Sequence, residues 1–167
     1  ILDVSLATNP TKHYTFTCGN LACTPNKKDI FVEIDYMQGH RPNQEAIDTV
    51  ITAFAPAPTT NPSGVTGGIN LHVQIDDGDT TLLKHSTGTR FPGSNTSGLE
   101  GFDQIKANLF GTSGERNADW NNTGWQLKKQ AFHYVLFVHS QSGSNDRSSG
   151  IAEVDGNDAL VSLGPFD

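Results

Sequence analysis

The segment KDIFVEIDYM, residues 28–37, decides the fold. Ile30, Val32, Ile34 and Tyr36 fall on one side of an extended chain and Phe31, Glu33, Asp35 and Met37 on the other, the period of two that marks a β-strand. Gly39 breaks it, and Pro42 and Asn43 open a helix. There Ile47, Val50, Ile51 and Phe54 recur at i, i+3, i+4 and i+7, and the run APAP at 55–58 closes the helix. A second alternating segment, INLHVQI at 69–75, follows a Gly/Pro-rich turn. Its Ile69, Leu71, Val73 and Ile75 are expected to be buried, with Asn70, His72 and Gln74 facing away. Strand, helix and strand make a βαβ unit, which predicts two parallel neighbours, a right-handed crossover and a helix on at least one face of the sheet.

Working outward, the residues before 28 are rich in Thr, Asn and Pro and read as an irregular extension over 1–27, with one strand at His13–Thr17. Residues 76–101 form a long polar segment, and Phe102 to Phe110 reads as a short helix with Phe102, Ile105 and Leu109 on one side. AFHYVLFVH, 131–139, is apolar on both faces, as a central strand of a mostly parallel sheet must be. Beyond a Gly/Ser loop, two further short strands close the series, the last being DALVSLG at 158–164. The whole is one α/β domain, 1–167, whose sheet occupies 28–164.

At 167 residues, with 35% hydrophobic and 17% charged residues, the chain is long enough to bury a core without metal or multiple disulfides, and 17 Gly and 8 Pro make it loop-rich. A net charge of -7 argues against a nucleic-acid partner; the basic pairs Lys27-Lys28 and Lys128-Lys129 read as solvated flanks. No run approaches the roughly 20 apolar residues of a membrane span. The start, ILDV, has neither a basic region nor a Met, so a signal peptide is expected to have been removed or to lie outside these residues. Cys18 and Cys23 enclose four residues, and a disulfide between them would contribute roughly 2 kcal/mol, two free thiols being the alternative. The acceptor triplets at Asn95 and Asn121 fit an extracellular surface, and an exported protein is expected.

Chemistry-bearing motifs are sparse. Asp76, Asp77 and Asp79 are the weak calcium candidates, but they lack the spacing and distal Glu of an EF-hand loop, and a solvated turn is the plainer reading. His133 and His139 share a strand face yet stand about 20 Å apart at roughly 3.3 Å per residue, too far to share a metal. His72, between Asn70 and Gln74, reads as a hydrogen-bonded histidine. No G-x-S-x-G, G-x-G-x-x-G or P-loop occurs, so the residues alone compose no complete active site.

Four ordered segments, at 28–37, 68–73, 132–139 and 149–158, resemble the N-terminal half of secreted archaeal and bacterial metzincin-like zinc metallopeptidases. The resemblance covers about residues 27–164. It implies a twisted, mixed, mostly parallel sheet with one connecting helix and an antiparallel edge strand, the metzincin-like upper subdomain. That edge strand, by order Ser149, Gly150, Ile151, Ala152 and Glu153, would pair with an extended peptide or protein substrate through backbone hydrogen bonds; an ordinary protected sheet edge is the competing reading. The resemblance further implies that zinc and its H-E-x-x-H-x-x-G-x-x-H helix follow in a C-terminal segment, since the motif is absent here and the 167 residues alone are expected to be inactive. Ala159, Val161 and Leu163 are then expected to line a face covered by that segment or by another subunit, and to leave the chain unstable or sticky without it. The alternative function is a non-catalytic extracellular surface or filament subunit that self-associates through the sheet.

Overall fold

The structure, a computed structural model, describes residues 2–6, 9–16, 23–64, 66–76, 88–94, 100–117, 128–141 and 147–162. It opens with a hairpin of β1 (Leu2–Leu6) and β2 (Asn9–Phe16), antiparallel with Leu2 opposite Phe16 and Val4 opposite Tyr14. The strand expected at His13–Thr17 lies within β2 as far as Phe16, and β1 adds a partner strand where the sequence reads as irregular. The alternation Leu2, Val4, Leu6 is a strand signal that the surrounding Thr, Asn and Pro conceal, and two strands pairing with each other need no long apolar run.

The βαβ unit is present as expected. β3 (Lys28–Tyr36) leads through α1 (Gln44–Phe54) to β4 (Ile69–Ile75), which pairs parallel with β3, Ile30 opposite Leu71 and Phe31 opposite His72. Asn43 caps α1, its side chain accepting from the Glu45 N–H at 2.7 Å. The return is tight at Gly68, whose φ of 59° and close approach to the Ala55 carbonyl exclude a side chain.

Two short strands, β5 (Thr89–Arg90) and β6 (Glu100–Gly101), run parallel to each other, and α2 (Phe102–Leu109) and α3 (Ser113–Asn117) follow. β7 (Phe132–Val138) then pairs parallel with β3, β9 (Asp158–Ser162) parallel with β7, and β8 (Gly150–Ala152) antiparallel with β9. The five-stranded sheet has the order β4-β3-β7-β9-β8, mostly parallel with one antiparallel edge pair. β7 is central, as its two-sided hydrophobicity requires.

One face carries the core. Phe31 of β3, Phe132, Tyr134, Leu136 and Val138 of β7 and Leu160 of β9 are buried against Phe91 and against Phe102, Ile105, Leu109 and Phe110 around α2. The expected buried side of α2 is therefore the observed one. Its aromatics meet the sheet edge-on, Phe102 and Phe110 each 5.5 Å from the Tyr134 ring. Each fully buried ring contributes roughly 1.5–3 kcal/mol by leaving water.

The opposite face is thinner. Val135, Phe137, Ala159 and Val161 are half-buried, and no residue of α1 is fully buried; Val50 is 47% exposed. The expectation for β4 is also corrected, since all seven residues are half-buried and the polar set lies toward the core side, His72 stacking on Phe31 at 4.9 Å. On β9 it is Leu160 and Ser162 that are buried under the core, while Ala159 and Val161 are half-buried on the other face; Leu163 lies outside the described residues.

Candidate peptide-binding edge

β8 lies at the sheet margin with Gly150, Ile151 and Ala152 all exposed. Its register against β9 fixes which backbone groups point where. The Ser162 N–H donates to the Ser149 carbonyl and the Glu153 N–H to the Asp158 carbonyl, both at 3.0 Å, with Ile151 opposite Leu160 between them. Alternation along an antiparallel pair then turns the N–H and C=O of Gly150 and Ala152 outward. Ser148 covers the first of these: its hydroxyl donates to the Gly150 carbonyl at 3.1 Å and accepts from the Gly150 N–H at 3.4 Å. Ala152 remains as the outward rung of the edge.

The edge is held rigidly. A Cβ on Gly150 would stand 2.6 Å from the Leu160 carbonyl, so only glycine brings β8 this close to β9. The turn from β8 to β9 carries Asp155 at φ 60° and ends at Asn157, whose side-chain amide donates to the carbonyls of Lys129 and Phe132 at 3.1 and 3.0 Å. The Tyr134 N–H donates back to the Asn157 carbonyl at 2.9 Å. Strand β7 thereby positions the turn that positions the edge.

Beneath the sheet lies a buried polar cluster that the sequence did not announce. The Lys128 ammonium stands 2.5 Å from Glu33 Oε2 and 3.1 Å from Glu115 Oε2, and the other Glu33 oxygen accepts from the Gly111 N–H. This corrects the reading of Lys128-Lys129 as a solvated flank: Lys128 is 6% exposed. Glu115 also accepts from the Thr112 N–H at 2.7 Å while its own N–H donates to the Thr112 hydroxyl at 3.2 Å, a capping box at the start of α3. Arg116 donates to the carbonyls of Leu109 and Gly111. Together these contacts fasten residues 109–116 to the sheet.

Electrostatics follow the burial. Glu33 is pushed above the usual carboxylate range by burial, against the opposing pull of Lys128 and Gly111. Lys128, although burial works against its charge, is held above its ordinary value by Glu33 and Glu115. Asp35 is raised to about 7, by burial first and by the nearby Glu33 and Asp76 charges, despite the Tyr134 hydroxyl that donates to it at 2.7 Å.

The other expected sites are dispersed. Asp76 is half-buried and tied by its N–H to the Ile34 carbonyl at 3.0 Å, whereas Asp77, Asp79, Asn95, Asn121 and Cys18 lie outside the described residues. His133 is exposed and His139 half-buried, the latter packed against His40. One group of three metal-type donors occurs among the described residues, Cys23, Asp29 and His72. Its members are already engaged: Cys23 is not a free thiol, and Asp29 Oδ1 meets His72 Nε2 at 2.7 Å and the Asn70 amide at 3.0 Å. His72 is thus the hydrogen-bonded histidine expected of it. Comparison of the chain with family models, with curated proteins and with solved structures returns no match.

Proposed function

We propose that this chain is the substrate-aligning sheet of a secreted zinc-dependent endopeptidase of metzincin type, taking an extended peptide along the outward edge of β8. The observation that carries the reading is the edge itself. A lone antiparallel strand, exposed along its length, closes a sheet that is otherwise parallel, and it presents the Ala152 N–H and C=O outward. The residues present do not fit a catalytic zinc of that family, because no H-E-x-x-H occurs and Cys23 is not a free thiol. No hydrolytic step is therefore assigned to these residues; their part is to bind and orient.

Ala152→Pro tests the reading without disturbing the β8–β9 pairing, since the amide removed is the outward one. Loss of one backbone hydrogen bond, about 0.5–1.5 kcal/mol, predicts a two- to tenfold weaker association with an unstructured casein peptide, read by chemical-shift titration of the Ile151 and Glu153 amides. Unchanged affinity in the variant, or shifts confined to other strands, would refute peptide alignment at this edge. Concentration-dependent self-association through β8 in sedimentation, with no peptide binding, would favour the assembly reading instead.

A further inference from the structure

A topological switch marks one end of the sheet. The chain leaves β3 for β4 on one side, while the next strand of the sheet, β7, lies on the other. Where connections part in this way, beyond the carboxyl ends of the strands, open parallel sheets leave a crevice that ligands use. Here the Met37 N–H extends the β3–β7 ladder to the Phe137 carbonyl at 2.9 Å, and the chain then turns sharply, the His40 N–H donating to the Met37 carbonyl at 2.8 Å. Gly39, with φ 88°, takes the position in that turn which demands a positive φ. The turn carries His40 to the end of β7. There its ring meets that of His139, centroids 5.3 Å apart and planes inclined at 56°, both side chains half-buried.

We propose that His40 and His139 jointly bind a divalent transition-metal ion at this switch point. A ring nitrogen about 2.0–2.1 Å from zinc places the ring centre roughly 3.2 Å from the ion, so two imidazoles on one tetrahedral ion stand roughly 5.2 Å apart. The observed separation matches. The surroundings favour a cation over an anion. The chain carries a net charge of -7, and the groups an anion would use nearby are occupied. Asn43 already accepts from the first turn of α1, Glu45 adds negative charge there, and the Arg41 guanidinium lies over the Tyr36 ring at 6.0 Å. Pro42 offers no N–H. Among the described residues the two rings belong to no group of three metal-type donors; the pair supplies two of the ion's ligands. This inference stands independently of the peptide-aligning role.

Calorimetric titration of the chain with zinc chloride at pH 7.5, paired with NMR of the histidine rings, is the test. The expected result is one-to-one binding that broadens or shifts the His40 and His139 ring signals, is weakened at least tenfold by His40→Ala and by His139→Ala, and is unaffected by His72→Ala. Should a variant fail to fold, the ring signals of the unaltered chain decide the matter. Binding that survives both substitutions, binding that requires His72, ring signals that ignore zinc, or ring signals that respond to inorganic phosphate in its place would each overturn the proposal.

Discussion

Replacing Lys128 with Met isolates the buried ion pair under the sheet. Methionine keeps most of the stem packed between Phe110 and Phe132, whose rings lie 5.6 and 5.1 Å from the ammonium, and removes only the charge. Glu33, 1% exposed, then has the Gly111 N–H as its remaining fixed partner. Its cheapest response is to take up a proton. With an unfolded-state pKa of about 4.3, holding that proton in the folded state costs about 3.7 kcal/mol at pH 7 and about 1 kcal/mol at pH 5. The sign is that of a carboxyl raised on folding: stability is retained at low pH and lost as pH rises. Glu115, its side chain 42% exposed, is rehydrated and adds less than about 1 kcal/mol. Because Glu33 is already raised in the parent, part of that cost is common to both proteins; urea unfolding followed by far-UV circular dichroism should therefore show Lys128→Met destabilised by at most about 3.7 kcal/mol at pH 7, and by far less at pH 5. The double variant Glu33→Gln/Lys128→Met, with no charge to strand, should recover much of the loss at pH 7. A deficit below about 1 kcal/mol at pH 7, or an equal deficit at both pH values, would refute the reasoning.

Asp35, raised to about 7, favours the folded state most when protonated, so the parent should lose stability as pH rises from about 4 toward 7. Asp35→Asn keeps an acceptor for the Tyr134 hydroxyl and cannot titrate; its unfolding midpoint should be flatter across that window, and parallel profiles for the two proteins would contradict the assignment. Gly150→Ala drives a Cβ to 2.6 Å from the Leu160 carbonyl, which should cost about 1–3 kcal/mol and abolish slow exchange of the Ile151 amide. An unchanged exchange rate would mean that β8 does not need the close approach.

The parts of the fold legible in the sequence are those in which a single segment carries its own period. β3, β4 and the two-sided β7 announce themselves, as does the buried side of α2, because Phe102, Ile105 and Leu109 repeat at helical spacing under a nearby core. α1 repeats equally well, yet none of its residues is fully buried, because it packs on β4 at the margin of the sheet, where periodicity says which side faces inward but not how much lies there. The polar side of β4 misleads for a related reason: Asp29 and Phe31 of the neighbouring strand satisfy and cover His72, and no local pattern reveals a neighbour. Lys128 and Glu33 are distant in sequence, and a lysine beside a lysine looks solvated until a strand brings a buried carboxylate beneath it. The edge was reached by order along the chain. Its outward rung at Ala152 and the hydroxyl on Gly150 came only with the register. His40 and His139 meet because two strand ends do, a consequence of topology that no spacing encodes.

Ser148 limits how far the sheet can grow at its β8 margin. A ribbon that lengthens by adding strands needs successive rungs of open amide and carbonyl, and at β8 the Ser148 hydroxyl already answers both groups of Gly150. If a peptide docks here as proposed, the one open rung holds it in register. On that proposal, a guest that seeks a second rung must displace a single serine hydroxyl, and the length of peptide bound would be set by an exchange of hydrogen bonds rather than by the walls of a pocket.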